Sequence, residues 1–248
     1  MQINYGVWDL SVKELAVVGV YSACGGLGIG YLFYDNFLVG IPIMLGLLLT
    51  KSQYTKHLIE KRRAKLLLQF RDLLYSISSS VSVGRNMMQA LGESITFWEN
   101  TYTERDYIMI ELNGMLRREK EGNDCDVAIL EDFAQRSGLD DIEDFVGVYE
   151  ICRDTGADLV KAIGQANRVI GDKIKLEKEL HTLMAQKQFE GRIITLAPFV
   201  ALLFLKVFSP QFLAPLTQSS SGYMIATFAL LCIVCACILI ERIHRIEV

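Results

Sequence analysis

Residues 23–30 read ACGGLGIG, four glycines in eight positions. A run this dense has two physical readings. It bares backbone N–H groups for an anion, as a phosphate loop does, or it lets two helices approach closely. A phosphate loop needs a strand before it, a helix after it and usually Lys-Ser/Thr at its end. Here Gly30 is followed by YLFYDN, and the glycines lie inside Leu15–Tyr34, which carries no charge. At 1.5 Å per residue, about 20 helical residues cross a ~30 Å hydrocarbon core. Ser22, Gly26 and Gly30 then fall four apart on one face, a small-xxx-small-xxx-small pattern that admits a neighbouring helix. The next apolar stretch in the chain is the nearest partner for that face, and a paralogous subunit is the other candidate.

The rest of the chain extends the membrane reading. Of 248 residues, 51% are hydrophobic, and the formal net charge is only −4. The mean hydropathy is +0.28. Such a balance does not suggest a general nucleic-acid binder. The apolar residues collect at both ends and the charges in the middle, the pattern of spans flanking a polar domain. After Leu15–Tyr34 come Phe37–Thr50 (FLVGIPIMLGLLLT, short for a full span), Ile193–Phe208 and Tyr223–Ile240. Lys206, near the end of the third stretch, can snorkel to an interface. Tyr5 and Trp8 are placed at headgroup level by their amphipathic rings. The segment KSQYTKHLIEKRRAK at 51–65 carries six Lys or Arg and one acid, whereas the links at 35–36 and 209–222 carry no Lys or Arg. By the positive-inside rule the middle domain and both termini face the cytoplasm. No cleaved signal peptide is expected, because Asp9 and Glu14 accompany Lys13 and no A-x-A-like site follows.

Between 55 and 188 the apolar residues recur at spacings of three and four, the helical period. The reading is six antiparallel helices with short links. The first covers 54–82, with Leu66, Leu67, Phe70, Leu73, Leu74 and Ile77 inward, and ends at SVG 82–84. The second covers 86–98. A capping box in TYTE 101–104 opens the third, which runs to Glu121. A fourth covers 126–137 and ends at Gly138. A fifth begins in DDIE 140–143 and closes through Gly156. The last, from 158 to about 190, runs on into the third apolar stretch. The predicted organisation is an N-terminal segment 1–14, a transmembrane hairpin 15–50, a cytoplasmic helical domain 51–192, a second hairpin 193–240 and a tail 241–248. In class it is an all-α membrane protein.

Certain residues in this order resemble a known family. They are Gly84, Gln89, Ala90 and Leu91 in GRNMMQAL, Thr155-Gly156 after an aromatic helix, and the Pro198…Ser209-Pro210…Pro215-Leu216…Gly222 series around the last hairpin. Together with the topology, from about Leu66 onward, they resemble the type II secretion system F-domain superfamily. More narrowly, the chain is similar to TadB-type inner-membrane platform proteins of Tad (Flp) pilus assembly. The resemblance implies a non-enzymatic scaffold in the inner membrane whose helical domain contacts a hexameric motor ATPase and whose membrane helices handle pilin subunits. It also implies a paralogous F-domain partner, because this chain holds one copy of the domain and longer members hold two.

Chemistry-bearing motifs are scarce. Cys232, Cys235 and Cys237 form C-x-x-C-x-C inside an apolar stretch with no nearby histidine, and small cysteines in a membrane helix account for them better than a metal site does. Cys24, Cys125 and Cys152 are scattered. His57, His181 and His244 join no H-E-x-x-H or nucleophile motif. No Walker sequence occurs, so the chain is not its own motor. No cofactor, metal or catalytic residue is expected. The acids Asp140, Asp141, Glu143 and Asp144 diverge around one helix start and suit its dipole better than a cation. The basic residues of KHLIEKRRAK act as a topology signal and can also attract anionic lipid. The turn Arg117, Arg118, Glu119, Lys120, Glu121 is the most charged in the domain and is the candidate ATPase-facing surface. A membrane-anchored signalling protein whose helical domain recruits a soluble partner is the rival reading.

Overall fold

The structure is a computed structural model that describes residues 3–6, 12–34, 41, 51–122, 124–209, 211–213 and 219–246. Among the described residues every regular element is a helix. In chain order they are α1 (Val12–Tyr34), α2 (Lys51–Ser82), α3 (Met87–Trp98), α4 (Tyr107–Glu121), α5 (Asp126–Ser137), α6 (Asp140–Thr155), α7 (Leu159–Phe208) and α8 (Ser220–Ile246). The chain divides into two compact units. One holds Met1–Asp9 and Thr55–Glu177; the other holds Leu10–Tyr54 and Lys178–Val248.

The first unit is a helix bundle. Leu66, Leu67, Phe70, Leu73, Leu74 and Ile77, the apolar stripe of α2, are all buried. Around them α3 packs on α4, α4 on α5 and α5 on α6, and Ile163, Ile170 and Ile174 of α7 join the same core. Phe70 anchors it, with ring centroids 6.1 Å from Phe133 and 5.5 Å from Phe145. Burying each such ring removes enough apolar area from water to contribute about 2–3 kcal/mol.

Two sequence expectations are corrected here. The helix opened by TYTE starts not at 101 but at Tyr107, behind the N-cap residue Asp106. The local capping box loses to a tertiary one. Gln69, buried on α2, donates to Asp106 Oδ1 at 3.0 Å and accepts from the Ile108 N–H at 3.2 Å, satisfying a donor of the first turn. Asp106 also accepts from the Thr103 N–H and hydroxyl, both at 3.0 Å, so Thr103 belongs to the preceding turn. The second correction is Tyr5, which sits in the bundle core with no exposed surface rather than at a headgroup.

The second unit contains α1, the later part of α7, and α8. Helices α1 and α8 pack together. Tyr34 stacks on Tyr223 at 6.2 Å and its hydroxyl lies 2.9 Å from that of Thr227. Phe33 meets Phe199 of α7 edge-on at 6.2 Å. Lys206 places its ammonium 3.6 Å from the Tyr31 ring centre and donates to the Tyr31 carbonyl. Among the described residues α7 is the helix long and apolar enough to cross a membrane, with only 6% of that window buried; Ser221–Ala236 of α8 is a shorter apolar stretch. The described residues thus supply one span-length helix where the sequence reading expects four. The Phe37–Thr50 stretch, except Ile41, lies outside the described residues, as does Trp8.

Candidate packing and coupling sites

The small-residue face of α1 is an inward face. Ser22, Gly26 and Gly30 are all buried, while Tyr21 is 78% exposed and Val20 63% exposed beside them. The Ser22 hydroxyl donates to the Gly19 carbonyl at 3.0 Å, so its polar group is satisfied within its own helix. On α8 the buried residues among those described are again small, Gly222 and Ala226, and they too are four apart. Among the described residues α8 packs on α1 at Tyr34, through Tyr223 and Thr227, and α7 meets it at Phe33 and Tyr31. Removing bulk from both faces is what allows two apolar helices to gain dispersion contacts along their backbones.

The marks that carried the family resemblance have plain structural reasons. Gly84 takes φ +89° between α2 and α3, a left-handed conformation that L side chains resist. Asn86 then caps α3: its Oδ1 accepts from the Gln89 N–H at 2.8 Å, and Gln89 Oε1 accepts from the Asn86 N–H at 3.3 Å. That reciprocal pair satisfies two free backbone donors. Ala90 and Leu91 follow as core residues. At the other mark, Gly156 ends α6 with φ +69°, and the Thr155 hydroxyl donates to the Ile151 carbonyl at 2.6 Å. These positions organise turns.

The charged turn after α4 is partly committed to the fold. Arg118 donates to Asp124 through Nη2 at 2.6 Å and to Asp132 through Nη1 at 2.8 Å. The hydrogen bond to Asp124 comes first among the causes that raise its pKa. Arg117 lies 3.8 Å from Glu121, and both are well exposed, as are Glu119 and Lys120. Arg118 therefore fixes the turn, and the other four charges form its open surface. The basic segment divides in the same way. Arg62 stacks over the rings of Tyr5 and Tyr107, at 4.8 and 5.2 Å, and Lys65 pairs with Asp106 at 2.6 Å. Lys56 and Lys61 are exposed. In the acidic run, Asp141 pairs with Lys173 at 2.6 Å, and Asp140, Asp141 and Glu143 occupy the first turn of α6, where the helix dipole favours them.

One polar cluster escaped the sequence reading. Glu111 is buried in the bundle and Arg136 grips it with two hydrogen bonds, Nη1 to Oε1 at 2.9 Å and Nη2 to Oε2 at 2.8 Å. Arg136 also donates from Nε to Asp132 at 2.9 Å. The Tyr5 hydroxyl donates to Glu111 Oε1 at 3.0 Å. Burial first, and then the Glu111 charge, push the Tyr5 phenol well above its ordinary pKa, so it stays a donor. The signal was present: Glu111 lies on the α4 stripe with Ile108, Leu112 and Met115, where an acid has no place unless it is paired. Cys24, Cys125, Cys232 and Cys235 are exposed and Cys152 is buried, all as free thiols. Among the described residues no group of three His, Cys, Asp or Glu converges as metal ligands would.

The fold so built defines a class, an all-helical chain with a bundle and a span-length apolar helix. No protein-family model, curated protein or solved structure matches the chain.

Proposed function

We propose that this protein is a multi-pass inner-membrane platform of a Tad-like pilus or type II-like secretion machine. Its bundle would meet a cytoplasmic motor ATPase, its apolar helices would handle pilin subunits within lipid, and both termini would lie in the cytoplasm. A paralogous F-domain protein would complete the platform. The chain itself would carry no catalytic step. The supporting observation is α7, a single helix of 50 residues that begins among bundle residues and ends in an apolar segment. A helix of that length spans about 75 Å at 1.5 Å per residue and contains no linker. Its proline, Pro198, lies deep in the apolar part. Such a helix can pass displacement from a bundle to a membrane segment, which a Gly/Ser linker cannot.

Insertion of a short Gly-Ser stretch next to Glu190 tests the lever. The expected result is normal membrane insertion with loss of pilus assembly; normal piliation would overturn it. The rival reading, a membrane-anchored signalling protein, draws on the open charges of Arg117, Glu119, Lys120 and Glu121. Affinity capture separates the two. Recovery of a secretion ATPase with a paralogous membrane protein supports the platform, and recovery of a soluble signalling partner alone supports the rival.

A further inference from the structure

The segment Ile3–Gly6, ahead of α1, is not helical, yet it is held to the bundle by backbone and side-chain contacts. Its backbone is read at three points. The Tyr5 N–H donates to the Arg136 carbonyl at 2.9 Å, Arg136 Nη1 donates to the Ile3 carbonyl at 3.0 Å, and Arg62 Nη1 reaches the Asn4 carbonyl at 3.5 Å. Asn4 Oδ1 accepts from the Gly6 N–H at 2.9 Å and folds the segment into a turn. The one large side chain is completely enclosed. The Tyr5 ring meets Tyr107 edge-on at 5.6 Å, with the Arg62 guanidinium over it at 4.8 Å, and its hydroxyl ends on Glu111. Backbone hydrogen bonds for affinity and a side-chain pocket for specificity are the elements by which proteins recognise short peptides.

The charged floor of the site stays paired without its occupant. Each Glu111 oxygen has a hydrogen bond from Arg136, and Arg136 has a further partner in Asp132. Lifting the segment away therefore strands no buried charge. What it frees are the Arg136 carbonyl, one Arg136 N–H bond and the place of the Tyr5 hydroxyl on Glu111, the groups that a replacement peptide would have to meet.

We propose that Ile3–Gly6 is a detachable latch, and that α2, α4 and α5 form a docking site for a short turn-forming peptide bearing a tyrosine, which this chain fills in cis. The hydroxyl sets the specificity, because Glu111 at the pocket floor accepts a hydrogen bond that phenylalanine cannot give. Residues Met1–Asp9 group with the bundle and Leu10 onward groups with the other unit.

Two measurements on the full-length chain decide this. In native-state hydrogen exchange the Tyr5 amide should open at least 100-fold faster than the amides of Phe70 and Leu112, with a rate insensitive to low denaturant, as expected of local opening. Exchange of all three together with denaturant would overturn the latch, since the segment would then open only with the whole bundle. In the second, a fluorescent synthetic peptide of residues 1–7 is titrated against the Tyr5→Ala chain and the unaltered chain. The Tyr5→Ala chain, checked for folding by circular dichroism, should bind the peptide, while the unaltered chain should bind it at least tenfold more weakly. A peptide with phenylalanine in place of its tyrosine should bind about fivefold more weakly, the effect of one lost hydrogen bond. Failure of the folded Tyr5→Ala chain to bind, or equal binding of the two peptides, would overturn the docking site.

Discussion

The two units differ in what they bury, although the second also encloses Phe33 and Met184. In the bundle the largest side chains are inside: Phe70, Phe133, Leu66, Leu73, Leu74 and Ile108 are each no more than 2% exposed. In the other unit the buried positions include Ser22, Gly26, Gly30, Gly222 and Ala226, while Phe204, Phe208, Met224 and Phe228 are 59% to 75% exposed. A water-soluble core is built by withdrawing apolar bulk from water. That force is absent when the surroundings are themselves apolar, and close packing of small residues takes over. That contrast supports the proposal, made above, that the apolar helices of the second unit lie in a membrane.

The comparison breaks most sharply if equivalent truncations have equal effects. Phe133→Ala should destabilise the bundle by about 3–5 kcal/mol, the transfer loss plus a cavity. Phe204→Ala removes the same atoms from an exposed position and should change stability in detergent by less than about 0.5 kcal/mol. Chemical denaturation followed by tryptophan fluorescence, Trp98 lying beside the bundle core, reads the first; thermal aggregation in detergent reads the second. Similar losses for both would mean that Phe204 is a core residue and that the contrast is false.

Two glycines sharpen the bundle side of the comparison. Gly138 and Gly156 both end helices with left-handed φ, +60° and +69°. A Cβ on Gly156 would meet nothing within 4 Å, whereas one on Gly138 would lie 2.2 Å from Nη2 of Arg63 and 2.9 Å from its Cζ. Gly156→Ala should cost about 1 kcal/mol, the backbone penalty alone. Gly138→Ala should cost about 2–3 kcal/mol, because the guanidinium must also move. Shortening Arg63 to Ala in the same chain should return the cost to that of Gly156→Ala. Persistence of the full loss in the double variant would show that Arg63 is not the obstacle.

On the apolar side, Gly26→Leu forces a branched side chain into a buried face and should weaken the packing of that unit by about 1–3 kcal/mol. Val20→Leu, on the exposed face of the same helix, should be silent. Thermal shift in detergent micelles compares the pair, and an unchanged midpoint for Gly26→Leu would mean that this face has room to spare.

Much of this was legible from residue patterns, for reasons that also explain the failures. The stripe of α2, the break at Gly84 and the stops at Gly138 and Gly156 depend on local chemistry, namely apolar period and left-handed glycine, and a sequence displays both. The start of α4 was misplaced because Gln69, 37 residues before Asp106, outcompetes the local capping box. Tyr5 was misplaced because an amphipathic ring near an apolar stretch looks the same whether its hydroxyl meets water or Glu111. The spacing of Ser22, Gly26 and Gly30 matches a buried stripe on α1, while the contacts of α1 with α8 and α7, Tyr34 with Thr227 and Phe33 with Phe199, join residues more than 160 apart that no local pattern links. Spacing states that a helix can be approached, not by which neighbour.

The smallest effect isolates one member of that tertiary cap. The Lys65 ammonium, hydrogen-bonded 2.6 Å from Asp106, holds its carboxyl at about 2, below the ordinary 3.8; burial opposes this, and the Thr103 N–H and hydroxyl assist it. A carboxyl whose pKa is lower in the folded state stabilises the fold at pH values above its unfolded pKa. That contribution is lost as pH falls through the folded pKa, here between about 4 and about 2. Lys65 is half exposed, so solvent screening reduces the contribution to about 1 kcal/mol. Asp106→Asn removes the titrating group and keeps an oxygen for the Thr103 donors. Urea midpoints measured at pH 6 and again at pH 2.5 should therefore fall further for the unaltered chain than for the variant, by the equivalent of about 1 kcal/mol. Other carboxylates titrate in both chains and cancel in the difference. Parallel losses in the two chains would show that Lys65 and Asp106 meet without stabilising the start of α4, leaving Gln69 alone to set where that helix begins.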